Sequence, residues 1–470
     1  MFKTNRTVES MSYKQKALLV AGIFLCMELG LMVSMEFSIA LPSIITDIGG
    51  AEFYALIFTV NLAVSAIVTP FVGKLSDIYG RRQILIIGIL IILVSEVITP
   101  LLVSNVYHLM IFRGIQGIGG ATTAVVALIV ISDIFDIENR AKFLGFYGSL
   151  NALTAIIAPT VGGIFVQYFS WHWVFYSIAP VGLIGLIIIL KLMPNIPKVE
   201  RAKMDYLGAS ILSVSILSLV GLTSFGSPTV TPVLLVVLAV SLVAFIIRQK
   251  KSADPLIPLR LFKHRIFTIC ILASTACMFA ATGMIYFLPL FLQNIHGFSP
   301  TETGIFMTER GITSFIFAAI SGFIVAKLKD FKLVAIVAMC IFASMIFVLT
   351  FFTVSAPTII ITAIFLVWGS SSGVLISIFH TGIQMNLPTK EISVAMSVMQ
   401  LAVSMGALLA TSLLGMFVQT ENLSQGFSYL LYTCLTVVIV TLVAFVIVVP
   451  KKKQVVAPIP AELEKSIPES

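Results

Sequence analysis

The chain is 470 residues long, with 59% hydrophobic and 11% charged residues, a net charge of +8 and a mean hydropathy of +1.08. No water-soluble globular protein of this size tolerates that balance, which leaves an integral membrane protein. The ~10-residue alternating units of a membrane barrel are missing, so the spans are helices of ~20 residues whose backbone groups pair within each segment.

Apolar runs between charged or Gly/Pro-rich breaks fall at 17–39, 54–74, 83–103, 107–132, 143–166, 174–193, 205–225, 231–248, 266–292, 303–326, 332–352, 358–380, 391–418 and 427–449, fourteen spans in all. All but two of the 29 Lys and Arg residues lie in the tails and in alternate connections, and the connections on the opposite side hold none. Short cytoplasmic loops retain positive charge, so both termini are expected in the cytoplasm, and the net charge needs no nucleic-acid partner. The first apolar run is too long for a signal peptide and no small-residue cleavage site closes it, so the first helix is expected to be retained. Cys26, Cys270, Cys277, Cys340 and Cys434 all fall within spans without CxxC spacing. They read as small packing residues, with no disulfide frame and no metal site.

In chain order, the first span carries Glu28 and Glu36, the second of these six residues before Pro42 in SMEFSIALPSI. A charge near the bilayer centre costs ~2.5–3.5 kcal/mol on insertion scales, so a bundle-facing functional role is the default reading. Carboxyls in apolar surroundings also suit proton pick-up and release near neutral pH. The competing reading is an acid paired with a neighbouring helix for packing. The second span closes with GKLSDIYGRR, in which Gly73 permits close helix approach, Gly80 the reversal, and Asp77, Arg81 and Arg82 crowd opposite charges together. Alone, that stretch is a positively charged cytoplasmic loop.

Glu96 in the third span is expected to make a structural pair near a wetter end. The fourth span holds RGIQGIGGA, which keeps Arg113 inside the membrane beside Gln116 and Gly117, and ends with ISDIFDIENRAK, containing Asp133. The fifth carries APTVGG, with Ala158, Pro159, Gly162 and Gly163. GFIVAKLKDFK at 322–332 weakly echoes the loop after the second span, as expected of two bundles around a central site. The loops at 194–204 and 249–265 are too short for a soluble domain. No GxxxxGK[ST] or HExxH occurs, so a built-in ATPase and one common hydrolase route are absent. The sequence reads as a transporter, not an enzyme, and calls for no cofactor.

In this order and spacing, GKLSDIYGRR, RGIQGIGGA and APTVGG resemble three signatures of the major facilitator superfamily, the last being its antiporter motif. WHWVFYSIAPVG at 171–182, MDYLG at 204–208 and DPLIPLRLF at 254–262 are similar to its fourteen-helix drug/proton antiporter branch. The resemblance implies an all-α polytopic fold of two six-helix bundles, 1–193 and 266–450, with an inserted helix pair at 194–265 and a cytoplasmic tail at 451–470. It also implies that helices one, four, nine and twelve line a central cavity. Asp77, Arg81 and Asp133 would form a cytoplasmic charge cluster that breaks and remakes as the bundles rock. Three departures stand out: Ile78 replaces the usual Arg of the loop motif, His172 and Ile178 replace an Arg and an Asn, and Ala158 replaces a Gly, which should loosen packing there. The branch's helix-one acid lies one turn before Glu36, where this chain has Val33; i and i+3 share a face, so the role can survive the shift.

The tenth span, GIFMTERGITSFIFAAISGFIV, holds an acid and a base side by side, Glu309 and Arg310. Adjacent helical positions point ~100° apart, so each needs separate company. With the span starting at 303, both lie about 9–10 Å deep. Arg310 is expected to snorkel outward as an anchor and Glu309 to face the cavity, the alternative being an interhelical salt bridge. Ser370, Ser371, Ser372, Ser377 and His380 in the twelfth span could solvate a substrate or simply allow close packing. The 35 Phe and 18 Met favour amphiphilic substrates over sugars.

The reading is therefore a proton-coupled efflux antiporter of lipophilic drugs, cationic ones among them, in the cytoplasmic membrane of a bacterial-type cell. Its rivals are a same-fold transporter of a lipid, peptide or metabolite, running by symport, and a non-transport membrane receptor.

Overall fold

The computed structural model of the chain describes residues 11–135, 137–194, 205–225, 227–252, 255–328, 330–351, 357–418 and 422–449. Lys3 and Arg6 near the N-terminus, the basic residues after 450, those at 198–203, and Asp254 of the DPLIPLRLF stretch lie outside them. Fourteen helices are long and apolar enough to cross a membrane, one for each apolar run of the sequence. They are α1 Tyr13–Ile48, α2 Tyr54–Tyr79, α3 Arg81–Leu102, α4 Val106–Ile134, α5 Ile137–Tyr168, α6 His172–Leu192, α7 Tyr206–Ser224 and α8 Val230–Lys251. After a 3-10 turn at Leu259–Lys263 come α9 Arg265–Asn294, α10 Pro300–Leu328, α11 Phe331–Leu349, α12 Thr358–Asn386, α13 Thr389–Val418 and α14 Leu423–Val448. A π turn at Ala410–Leu414 interrupts α13.

Most helices run past their apolar runs because polar caps carry the first turn. Ser12 and Gln15 make a capping box on α1, and Asn105, Asp330 and Asn422 accept the N–H groups of His108, Leu333 and Gln425. Prolines interrupt α1, α2, α3, α5 and α9 without ending them, as membrane helices allow when neighbouring groups take up the freed carbonyl. Gly80, at φ +100°, makes the tight reversal between α2 and α3 that the loop motif requires.

Helices α1 to α6 pack among themselves, as do α9 to α14. The two sets meet along α5 with α10, α2 with α13 and α1 with α9. The end at which α1 begins, α14 ends and the basic loops lie is the basic end, and the opposite one the far end. Contacts between the sets run from the far end to mid-helix: Gln293 Nε2 donates to the Ile39 carbonyl at 3.0 Å, the Tyr54 hydroxyl to the Tyr286 carbonyl at 3.3 Å, and Gly415 lies against Ala55. Toward the basic end α5 instead exposes Phe146 and Leu153.

Between the sets, α7 lies over α2 and α13 through Leu56, Ala63, Ile216, Val220 and Leu408, while α8 packs on α7 and leaves most of its surface bare. Asp205 joins the pair. It caps α7 through Gly208 N–H at 3.0 Å and accepts from Arg248 Nε at 2.8 Å and Gln249 Nε2 at 3.4 Å on α8. A Cβ at Gly208 would stand 2.5 Å from Asp205 Oδ2 and 2.7 Å from Gln249 Nε2, so the DYLG stretch needs its glycine. Burial by itself would raise the Asp205 pKa, but the Gly208 N–H and the Arg248 guanidinium outweigh it and hold the carboxyl below its ordinary range. That stabilisation is present above the ordinary carboxylate pKa and is lost as pH falls through the lowered value. Asp205→Asn is expected to cost about 2 kcal/mol and to lower the thermal unfolding midpoint in detergent at pH 7. At a pH below the lowered value the difference from the unsubstituted protein should shrink.

Candidate functional site

Four carboxyls and two guanidiniums stand within the membrane-depth part of the helices, and the fold gathers only some of them. Glu36 of α1 is fully buried, and its Oε2 accepts the Ser177 hydroxyl of α6 at 3.3 Å. The APTVGG stretch of α5 explains how α1 fits there: a Cβ on Gly162 would lie 2.8 Å from the Glu36 Cα. The same stretch packs on α10. Gly163 faces the Pro300 carbonyl and Gly304 the Pro159 carbonyl, while Thr308 donates to the Ile156 carbonyl at 2.6 Å. Pro159 has no N–H to offer the Ala155 carbonyl, and Gly311 packs beside that oxygen. Ala158 is fully buried in this contact, so the expected looseness is not seen.

Arg113 of α4 is 2% exposed. Its Nη1 donates to Gln116 Oε1 at 2.9 Å, and its Cζ lies 4.2 Å from the centre of the Phe37 ring, a cation–π contact. Asn61 Nδ2 of α2 holds the Arg113 carbonyl at 2.9 Å, which fixes the helix beneath the guanidinium. Glu96 of α3 is 1% exposed and lies within electrostatic reach of both Arg113 and Glu36. The expectation that Glu96 makes a pair near a wetter end is therefore corrected: it completes a buried cluster of two carboxyls and one guanidinium. Helix rise alone could have found it, because Glu96 and Arg113 each stand roughly 10 Å from the same end of their spans.

An aromatic layer covers this cluster on the far side. Tyr286 of α9 stacks on Phe58 of α2 at 4.3 Å and lies within electrostatic reach of Arg113, while Phe37 meets Phe58 edge-on at 5.6 Å. These residues come from both helix sets, and nothing in their sequence marked them. Glu28 is buried near Thr154 and Tyr147 of α5, two turns of α1 toward the basic end, and stays outside the cluster.

At the basic end Arg81 bridges Asp77 at 3.4 Å and Asp133 at 2.5 Å, bringing together the three residues expected to meet. Arg82 does something else: it is 4% exposed and its Nη2 donates to the Leu190 carbonyl at 2.8 Å, where a cation favours the C-terminus of α6. Gly73 was expected to permit a close helix approach, yet a Cβ there would meet nothing within 4 Å.

In the charged pair of α10 the expectation fails at Arg310. Arg310 does not snorkel: it is 7% exposed, with its Cζ 5.1 Å from the ring of the fully buried Trp368. Glu309 lies on the same helical stripe as the exposed Ile305, Ile312 and Ile316, beside Thr362 of α12. Gly369, pressed on the Arg310 backbone, pins α12 to α10 and turns the guanidinium inward. Ser371 and Ser372 donate to carbonyls of their own helix, as does His380 Nδ1 to the Ile376 carbonyl. The hydroxyl protons of these two serines are therefore taken up within α12. No cluster of metal-ligand type occurs among the described residues.

Residues 18–411 match the sequence profile described as Major Facilitator Superfamily. The chain belongs to that superfamily. Among its relatives in the superfamily, the multidrug transporter protein MdtP of Bacillus subtilis (strain 168) is 30% identical over 407 residues, covering 85% of this chain and 75% of that protein. Multidrug resistance protein 3 of the same organism is 28% identical over 420 residues, covering 87% and 81%. Of solved structures, a D-xylose-proton symporter superposes with a TM-score of 0.65 at 16% identity, covering 93% of this chain and 98% of that one. An inward-facing, occupied bacterial homologue of the human lysosomal transporter Spinster also superposes at 0.65, with 14% identity and coverages of 93% and 97%. At such identities the likeness is one of fold.

Proposed function

We propose that this superfamily member is a proton-coupled exporter of lipophilic drugs, cationic ones among them, working by alternating access in a cytoplasmic membrane. The observation that carries the reading is the buried cluster of Glu36, Glu96 and Arg113, roofed by aromatics from both helix sets. A proton added to either carboxyl changes the charge balance around one fixed cation, and that balance bears on how tightly the roof and the α1–α5 contact are held. The multidrug relatives named above support a drug as the cargo.

On the positive-inside rule the basic end is cytoplasmic, so the far-end contacts describe an inward-facing state. Residues 1–193 and 266–450 act as the rocking bodies, and the pair at 194–265 bridges their seam through α7. In the outward-facing state the cytoplasmic ends close, and the Arg81 bridges to Asp77 and Asp133 rearrange as part of that gate. The empty space at Gly73 supplies a test of this motion. Gly73→Val should leave thermal stability in the inward-facing state nearly unchanged while slowing turnover at least tenfold, because the added side chain collides only when the ends meet. Turnover equal to that of the unsubstituted protein would show that nothing closes on this position.

The function itself is tested in everted vesicles. An imposed acid lumen should drive accumulation of a cationic dye, and collapse of the gradient should release it. A symporter would need the opposite gradient, and a receptor would give no gradient-driven flux.

A further inference from the structure

The second half of the chain buries a cation that the protein itself does not balance. Arg310 is 93% removed from solvent by its 7% exposure, and among the described residues no ion pair reaches it. Its Nε lacks a hydrogen-bond partner, and so does the indole Nε1 of Trp368, the wholly buried ring on which the guanidinium rests at 5.1 Å. Two buried donors thus share one aromatic contact with no acceptor supplied by the fold. Buried tryptophan N–H groups ordinarily find a partner, and a buried guanidinium ordinarily has a counter-charge. The Nε of Arg113 in the first half is likewise unbonded, but there Nη1 donates to Gln116 and Glu96 is in reach.

The side chain points away from the exposed stripe of Ile305, Ile312 and Ile316, so bulk water does not serve it. Phe306 and Phe365, 5.5 Å apart, flank the same contact, and Phe365 meets Trp368 at 5.5 Å. An aromatic wall beside a planar cationic fork suits a flat apolar molecule bearing a carboxylate, since the guanidinium matches that group bidentately. Through α5, Glu36 is level with residues 300–304, and Arg310 lies about 10 Å farther along α10. Along the helix axis, that offset is within the reach of a drug-sized molecule.

We propose that Arg310 and Trp368 form the oxyanion-recognising half of the substrate site, taking the carboxylate of a lipophilic zwitterion whose cationic end lies toward Glu36 and Glu96. The inference rests on the efflux reading and narrows its substrate class from lipophilic cations to molecules that also carry an oxyanion.

A rhodamine free acid and its methyl ester differ in that carboxylate alone, and equilibrium binding to the purified full chain in detergent, followed by dye polarisation, needs no proton gradient. Arg310→Gln is expected to weaken binding of the free acid at least tenfold and of the ester less than twofold, with Arg310→Lys intermediate for the acid. Trp368→Phe keeps the ring and removes the N–H, and should weaken the acid about threefold while leaving the ester alone. Equal weakening of both dyes, or undiminished binding of the acid, overturns the proposal; if the Arg310 variants do not fold, Trp368→Phe decides by the same criterion. An unsubstituted protein that binds neither dye overturns the efflux reading and this one with it, whereas binding of both dyes with no selective loss overturns this one alone.

Discussion

Arg113→Ala should insert normally and lose gradient-driven transport, with the rate falling at least tenfold. Among the described residues the guanidinium lies within electrostatic reach of Glu96, and Glu96 within reach of Glu36. Removing one partner from a buried charged group costs roughly 3–5 kcal/mol, because the remaining charge is left uncompensated. In the variant Glu96 loses its fixed countercharge, so the charge contrast between the loaded and unloaded states is lost. The Phe37 face and Gln116 also lose their partner. Arg113→Lys keeps the charge but not the planar fork, and should retain a small part of the activity. The measurement is dye accumulation in everted vesicles at matched expression. Coupling equal to that of the unsubstituted protein in the alanine variant would remove the cluster from the mechanism.

Glu36→Gln should abolish the pH dependence of transport while substrate binding survives. Glutamine has nearly the same shape, and its amide oxygen can still accept the Ser177 hydroxyl, so the α1–α6 contact is kept and only the titrating group is removed. Glu36→Asp withdraws the carboxyl by one methylene from Ser177 and should keep part of the coupling. Gradient-driven accumulation in the Gln variant is expected to fall to the level of vesicles lacking the protein, with the rate flat between about pH 5.5 and 8, the range in which general acid–base groups work. An unchanged pH profile would make Glu36 a packing acid.

The fourteen spans were legible because hydropathy acts on whole segments, and Gly80 because a tight reversal demands positive φ. The meeting of Asp77, Arg81 and Asp133 followed from the loop motif. Rotation about each helix axis was not legible, since a helix that is apolar on every side carries no stripe to orient it. That is why Arg310 was expected to snorkel, and why Glu96 was assigned to a wet end. Gly162 shows the same limit differently: its motif was visible, but not that its missing side chain makes room for Glu36, about 120 residues away in sequence and on another helix. Arg82 stood in the right loop, yet its hydrogen bond to Leu190 depends on where α6 ends in space.

The central claim is that a proton and a drug exchange across one buried cluster. Purified protein in liposomes with an entrapped pH indicator tests it most directly. A lipophilic cationic dye held only outside, with no initial pH difference, should enter through the protein and drive protons out, so the lumen becomes alkaline at a rate that Glu36→Gln abolishes. A lumen that acidifies as dye enters, or that keeps its pH while the dye equilibrates, would contradict proton antiport.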